Sequence, residues 1–73
     1  MSKLRRGVMT IRFVIWDIHP DGTRTIANIW TLPWRKTAAG GLPAEISRKF
    51  MEIADAKATP GMDGEFQIYP TPA

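Results

Sequence analysis

The sequence predicts a small α+β protein: an antiparallel sheet of one β-hairpin and a short C-terminal strand, with one α-helix packed on one face, in the order ββαβ. Two segments, 8–18 and 23–32, are rich in β-branched and aromatic residues and flank a His-Pro-Asp-Gly sequence, as in a hairpin. Apolar residues recur at helical spacing between 43 and 58. A weakly alternating segment, 65–69, follows an Asp-Gly turn and is short enough for an edge strand.

The His-Pro-Asp-Gly segment predicts the turn type of the hairpin. Pro20 presets φ for the first central position of a type I turn, Asp21 suits the second, and Gly22 suits the left-handed position of a G1 bulge. This turn places His19 opposite Thr23, so that the numbers of every opposed pair sum to 42.

That register divides the hairpin into two faces of different chemistry. The first face is almost free of polar groups and is assigned to the helix; it holds Met9, Ile11, Phe13, Ile15, Ala27 and Ile29. The second face is mixed and holds Arg12, Val14, Trp16, Ile26, Asn28 and Trp30. On it, Arg12 is expected across from Trp30, where it could stack on the indole. Two interpretations of this face stay open: cover by the Trp34 loop or the Tyr69 segment, or exposure to a partner.

The remaining elements follow from proline, glycine and helical periodicity. Residues 33–41 contain Pro33 and a Gly-Gly pair and are predicted to be a connecting loop. The helix is predicted over residues 43–58, with proline in its first turn and a Pro-Gly stop after it. Its apolar stripe is expected to consist of Ile46, Phe50, Ile53 and Ala54.

The length of 73 residues allows one domain with a small core. We expect residues 1–7 to form a flexible basic arm, residues 8–69 the domain, and residues 70–73 a disordered tail. The longest apolar run, residues 13–16, is far shorter than the roughly 20 residues of a membrane helix, so no membrane association is expected. The chain has no cysteine, which excludes disulfides and thiolate metal sites and mildly favours a cytoplasmic location.

The charge is unevenly distributed along the chain. Residues 1–36 hold seven bases and two acids, a net of +5, whereas residues 37–73 hold three bases and five acids, a net of −2. A solvated surface that is uneven by chance would have this pattern, and so would an N-terminal half that meets an acidic partner.

Residues with catalytic potential are scarce. The single histidine, His19, belongs to the turn, and the only serines are Ser2 and Ser47. No spacing of histidine and acidic residues resembles a metal site, and no glycine-rich loop precedes a helix in the phosphate-binding pattern. The sequence therefore predicts a protein that is not an enzyme and that has no cofactor or metal.

Two classes of binding protein remain, together with a structural or accessory role. The segment Trp34-Arg35-Lys36 combines an aromatic residue with two basic residues, which suits docking on an acidic protein surface or stacking on nucleic-acid bases. The arm Lys3 to Arg6 is similar to the short arms that some DNA-binding proteins insert into a groove. Arginine and tryptophan on an exposed sheet face also suit nucleic acid, so a small nucleic-acid-binding protein is the alternative.

Four segments carry a resemblance over the whole chain: the MSKLRRG arm, the hairpin closed by HPDG, the PWRK loop and the PAEISRKFMEIADAK helix. Together they resemble the small transcription regulators of lytic Xanthomonas phages that bind the host's RNA polymerase. The resemblance implies binding to the β′ and β subunits, inhibition of initiation by displacement of the σ factor, and antitermination during elongation. It also implies a location in the host bacterial cytoplasm, and we expect a monomer that acts close to nucleic acid.

The resemblance and the aromatic residues together define the expected polymerase-binding set. Residues Lys3 to Arg6 and the start of the first strand are expected to contact β′, as the resemblance implies. The tryptophans and their basic neighbours are added on physical grounds. The full set is Lys3, Leu4, Arg5, Arg6, Val8, Arg12, Trp16, Trp30, Trp34, Arg35 and Lys36.

Overall fold

A computed structural model of the chain describes residues 4–35 and 42–72. It contains the strands β1 (Leu4–Ile18), β2 (Arg24–Arg35) and β3 (Met62–Pro72) and the helix α1 (Ala44–Ala58), in the order ββαβ. The strands form one antiparallel sheet in the order β2-β1-β3. The predicted α+β class is therefore confirmed.

The turn between β1 and β2 has the predicted geometry. The N–H of Gly22 donates to the carbonyl of His19 at 2.9 Å, and the N–H of His19 donates to the carbonyl of Thr23 at 2.8 Å. Gly22 has a φ of 89°, a left-handed conformation that glycine adopts without a steric penalty. The Asp21 carboxylate accepts hydrogen bonds from both the hydroxyl and the N–H of Thr23, which lowers the pKa of Asp21 below its ordinary value.

The hairpin register is the predicted one only near the turn. Trp16 pairs with Ile26, as expected, but Ile15 pairs with Asn28, so Ala27 is an extra residue in β2. Beyond this β-bulge every residue of β2 pairs one position later than predicted, and Phe13 lies opposite Trp30. Since neighbouring residues of a strand point to opposite faces, the bulge exchanges the faces predicted for β2 from Asn28 onward.

The bounds of all three strands differ from the prediction. β1 begins at Leu4 rather than Val8, and β2 continues through Pro33 to Arg35 instead of ending at Leu32. β2 is an edge strand, where the missing N–H of a proline is tolerated. β3 extends from Met62 to Pro72, so the predicted limits of the arm and of the tail both fall inside strands. Residues 1–3 of the arm and residue 73 lie outside the described residues.

α1 begins one residue after the predicted start and ends at the predicted residue. The carbonyl of Pro43 accepts the N–H groups of Ile46 and Ser47, which starts the helix without a side-chain cap. At the other end the hydroxyl of Thr59 donates to the carbonyl of Asp55 at 2.7 Å. Gly61 then has a φ of 79°, and its carbonyl accepts the N–H of Ile18, which joins the end of the helix to the sheet.

The core lies between α1 and one face of the sheet. Its buried members are Ile11, Phe13, Ile15, Ile46, Ile53 and Ala56. The β1 residues predicted for the helix side are thus confirmed, and in the helix stripe Ala56 takes the place predicted for Ala54, which is exposed. Phe50 is partly buried and packs edge-on against Phe13 and Phe66, with ring centroids 5.1 and 4.8 Å apart.

Candidate functional site

The three tryptophans lie on both sides of the sheet. Trp30 was predicted on the face away from the helix, but the bulge at Ala27 places it on the helix side, where it packs against the core. There the Lys49 ammonium lies 3.8 Å from the centroid of its ring and forms an ion pair with Glu52 at 2.9 Å. Trp30 is therefore held inside the fold by a cation–π contact, and it is not part of a joint surface with Trp16.

Trp16 lies on the other side of the sheet and is half-buried. Its Nε1 donates to a carboxylate oxygen of Glu65 at 2.9 Å, and the guanidinium of Arg24 lies 5.0 Å from the ring centroid. Arg24 in turn approaches Asp63 at 3.8 Å. The indole of Trp16 is thus oriented by residues of both neighbouring strands, which pre-organises its exposed part for a contact.

Arg12 does not stack on Trp30, contrary to the prediction. It is exposed on the same side of the sheet as Trp16, paired with Thr31 on β2 and Gln67 on β3. The bulge accounts for this difference as well, because it moves Trp30 opposite Phe13.

Trp34, Arg35 and Val8 lie at the far end of the hairpin from the turn. Trp34 is half-buried against the core, and its indole N–H is buried without an acceptor among the described residues. Arg35 is exposed and pairs with Val8, which is only 9% exposed. The valine therefore offers little surface to a partner, whereas the arginine is accessible.

The basic arm is described only in part. The backbone of Leu4, Arg5 and Arg6 belongs to β1. Lys3 and Lys36 lie outside the described residues. Because β1 and β2 are antiparallel, the start of β1 and the end of β2 lie at the same end of the sheet.

Basic and acidic residues are unevenly distributed along the sheet. Arg5, Arg6 and Arg35 belong to the end where β1 begins, which we call the basic end. Toward the hairpin turn lie four carboxylates, those of Asp17, Asp21, Asp63 and Glu65. Arg24 also lies there, opposite Ile18, so the part of the sheet near the turn holds four acids and one base.

A cavity of about 250 Å³ lies between α1 and β2. It is lined by Ile15, Asn28, Trp30, Glu52, Asp55, Ala56, Thr59 and Met62. This volume is below the roughly 300 to 1,000 Å³ usual for small-molecule sites. Within the described part of the chain, no group of three or more histidine or acidic residues is placed to hold a metal ion. His19 is exposed in the turn, where its Nε2 is 2.9 Å from the hydroxyl of Thr25.

The sequence interpretation placed Ile26 correctly on the side of Trp16 but assigned Ile29 to the helix side. Ile26 and Ile29 lie on the same side of the sheet as Trp16, each about half exposed, because the extra residue Ala27 stands between them. A signal was present in the sequence, since Trp30, Leu32 and Trp34 alternate out of phase with the apolar residues of β1.

The fold and these surfaces define a small two-layer α+β protein whose sheet has one face covered by a helix. Comparisons of the chain with protein-family models, with curated proteins and with solved structures give no match. Among the described residues, no helix has the length and apolar character needed to cross a membrane.

Proposed function

We propose that this protein is a phage-type regulator of transcription that binds bacterial RNA polymerase through the β′ and β subunits. In this proposal it inhibits initiation by displacing the σ factor and acts as an antiterminator during elongation. The resemblance of the chain to phage regulators supports RNA polymerase and its β′ and β subunits as the partner. The arrangement of basic residues on the sheet supports the surface that would bind them.

The observation that carries the proposal is the gathering of bases at the basic end of the sheet. The pairing of Val8 with Arg35 brings the end of β2 beside the start of β1, where Arg5 and Arg6 lie. Opposite charge on a partner steers association and sets the orientation of docking. A basic end on a sheet that is acidic toward its turn therefore favours an acidic partner bound in one orientation.

A capture experiment with purified bacterial core RNA polymerase tests the proposal. The double variant Arg5→Glu with Arg6→Glu should bind at least about tenfold more weakly than the wild type, because it reverses two charges at the basic end. The matched control is Arg48→Glu with Lys57→Glu, which changes the net charge equally at exposed positions of α1 and should bind like the wild type.

Transcription assays with the same proteins test the consequence of binding. The wild type should reduce σ-dependent initiation and increase readthrough of terminators, and the basic-end variant should do neither. Absence of binding between the wild type and core polymerase at micromolar concentration would refute the proposal.

The alternative function, nucleic-acid binding by a joint basic and aromatic face, depended on Trp16 and Trp30 lying side by side. They lie on opposite sides of the sheet, so that face is not formed as predicted. Direct binding of the isolated protein to DNA or RNA, weakening steeply with salt, would restore this alternative.

A further inference from the structure

The side of the sheet opposite α1, which we call the open face, is not covered by any described element. α1 packs on the other side, against the core residues Ile11, Phe13 and Ile15. The described side chains of the open face are Val8, Thr10, Arg12, Val14, Trp16, Ile18, Arg24, Ile26, Ile29, Thr31, Pro33, Arg35, Asp63, Glu65, Gln67, Tyr69 and Thr71.

The centre of the open face is apolar. Trp16 pairs with Ile26 and Val14 with Ile29, which gives two adjacent rows of large apolar side chains across β1 and β2. Val14 is enclosed by its neighbours, but Ile26 is 51% and Ile29 is 49% exposed. An exposed apolar cluster of this kind with polar residues around it is typical of an interaction surface.

The charged side chains that β1 and β2 contribute to the open face are all positive: Arg12, Arg24 and Arg35. The two carboxylates of this face, Asp63 and Glu65, both lie on β3, where Asp63 approaches Arg24 at 3.8 Å and Glu65 accepts a hydrogen bond from the neutral indole of Trp16. Among the described residues, which include all seven acidic residues of the chain, none forms an ion pair with Arg12 or Arg35. A partner laid over β1 and β2 therefore meets two cations without an ion-pair partner and no carboxylate on those strands.

We infer that the open face binds an acidic amphipathic helix of a partner protein, laid along β1 and β2 with its apolar stripe on Trp16, Ile26 and Ile29. The inference rests on the proposed function, because it specifies the chemistry of the partner surface that this protein would engage.

The dimensions of the face fit one helix. Two neighbouring strands are about 4.8 Å apart, so their side chains support a single helix with a diameter of about 10 to 12 Å. Successive rows on one face of a sheet are about 7 Å apart, so Arg12 lies about 7 Å and Arg35 about 20 Å from the row of Val14. A helix rises 1.5 Å per residue. The partner would therefore place an acidic residue opposite Arg12 about 4 to 5 residues, and another opposite Arg35 about 13 residues, from its apolar residue at the row of Val14.

A second copy of the chain fits the open face less well. In such a pair β1 and β2 of each copy would present Arg12 and Arg35 and no carboxylate, so these strands would bring like charges together. Self-association is therefore an outcome that would contradict the inference.

Two synthetic helical peptides of about 18 residues, each about 27 Å long, test the inference in an amide chemical-shift titration of the full chain. Both carry the same leucine stripe, and their remaining positions are glutamate in one and lysine in the other. The glutamate peptide should shift the amides of Val14, Trp16 and Ile29, and the lysine peptide should bind at least about tenfold more weakly.

A pair of matched variants locates the site. Ile29→Ser on the open face should weaken binding of the glutamate peptide at least about tenfold. Ile68→Ser is the control, because Ile68 is 45% exposed on the other edge strand and on the helix side of the sheet, and it should bind like the wild type. Equal binding of both peptides, shifts confined to the helix side, self-association, or no shift at millimolar peptide would each overturn the inference.

The same two variants separate this inference from the proposed function. If core polymerase binds neither the wild type nor the variants while the glutamate peptide binds the open face, the proposed function is wrong but the helix-binding site on the open face is confirmed. If core polymerase binds the wild type and both isoleucine variants equally, the open face is not the polymerase contact.

Discussion

Gly64 of β3 lies close against the backbone of α1, and Gly64→Ala should therefore destabilise the protein. A Cβ at this position would lie 2.9 Å from the carbonyl oxygen and 3.2 Å from the Cα of Ile53. Both atoms belong to the backbone of α1, so the contact is relieved only if helix and strand move apart. Inserting a methyl group into a packed interior costs about 1 to 3 kcal/mol.

A smaller effect on the unfolded chain partly offsets this loss in the free energy of unfolding. Replacing glycine by alanine restricts the unfolded chain and contributes about 0.4 to 1 kcal/mol in favour of folding. The free energy of unfolding should then fall by about 1 to 2 kcal/mol, from a total of about 4 to 11 kcal/mol for 73 residues. For a domain of this size that corresponds to a decrease in Tm of about 4 to 16 °C.

Urea unfolding of Gly64→Ala, Ile53→Val and the double variant tests the reason as well as the size of the effect. Ile53→Val removes the Cδ1 atom, which lies 3.2 Å from the same Cβ, but leaves the backbone contacts in place. It should cost about 0.5 to 1.5 kcal/mol by itself and should not rescue Gly64→Ala. An unchanged stability of Gly64→Ala, or its full recovery in the double variant, would refute the reasoning.

Three further substitutions have defined expectations. Lys49→Gln should cost about 1 kcal/mol more than the control Arg48→Gln in urea unfolding, because only the former removes a cation–π contact and an ion pair; equal costs would contradict this. Phe50→Ala should cost about 3 kcal/mol, since it removes two edge-on aromatic contacts, and a loss below about 1 kcal/mol would mean that the helix docks differently. The Asp21 carboxyl should titrate below its ordinary pKa of 3.8 by NMR and should move toward that value in Thr23→Val, whereas an unchanged midpoint would contradict the assigned cause. Because the folded-state pKa is lowered, the stabilisation from Asp21 is present above pH 3.8 and is lost as the pH falls through the lowered value.

Local chemistry made the turn and the helix predictable. Pro20, Asp21 and Gly22 each suit one backbone conformation, and together they produced the expected turn and the pairing of His19 with Thr23. The helix followed from apolar spacing and a Pro-Gly stop, and its bounds changed by one residue. These features depend on neighbours in the sequence, which is why the sequence suffices for them.

The candidate surface was only partly predictable, because it depends on a register that changes within the hairpin. A regular register pairs odd-numbered residues of β1 with odd-numbered residues of β2. The core residues of β1 are odd-numbered, yet the residues of β2 that pack against the core are even-numbered: Trp30, Leu32 and Trp34. One inserted residue brings both sets to the same side, where α1 buries them. The mismatch between the two alternating patterns is visible in the sequence, but which strand contains the extra residue is decided only by the folded sheet.

The sequence by itself determined the α+β class, the turn, the helix and the buried face of β1, because each depends on local propensity and periodicity. Only the tertiary structure decided which tryptophans share a surface. The bulge at Ala27 sends Trp30 under Lys49 and leaves Ile26 and Ile29 beside Trp16 on the open face. The physical reason is that strand side chains alternate with a period of two, so one extra residue reverses every assignment that follows it.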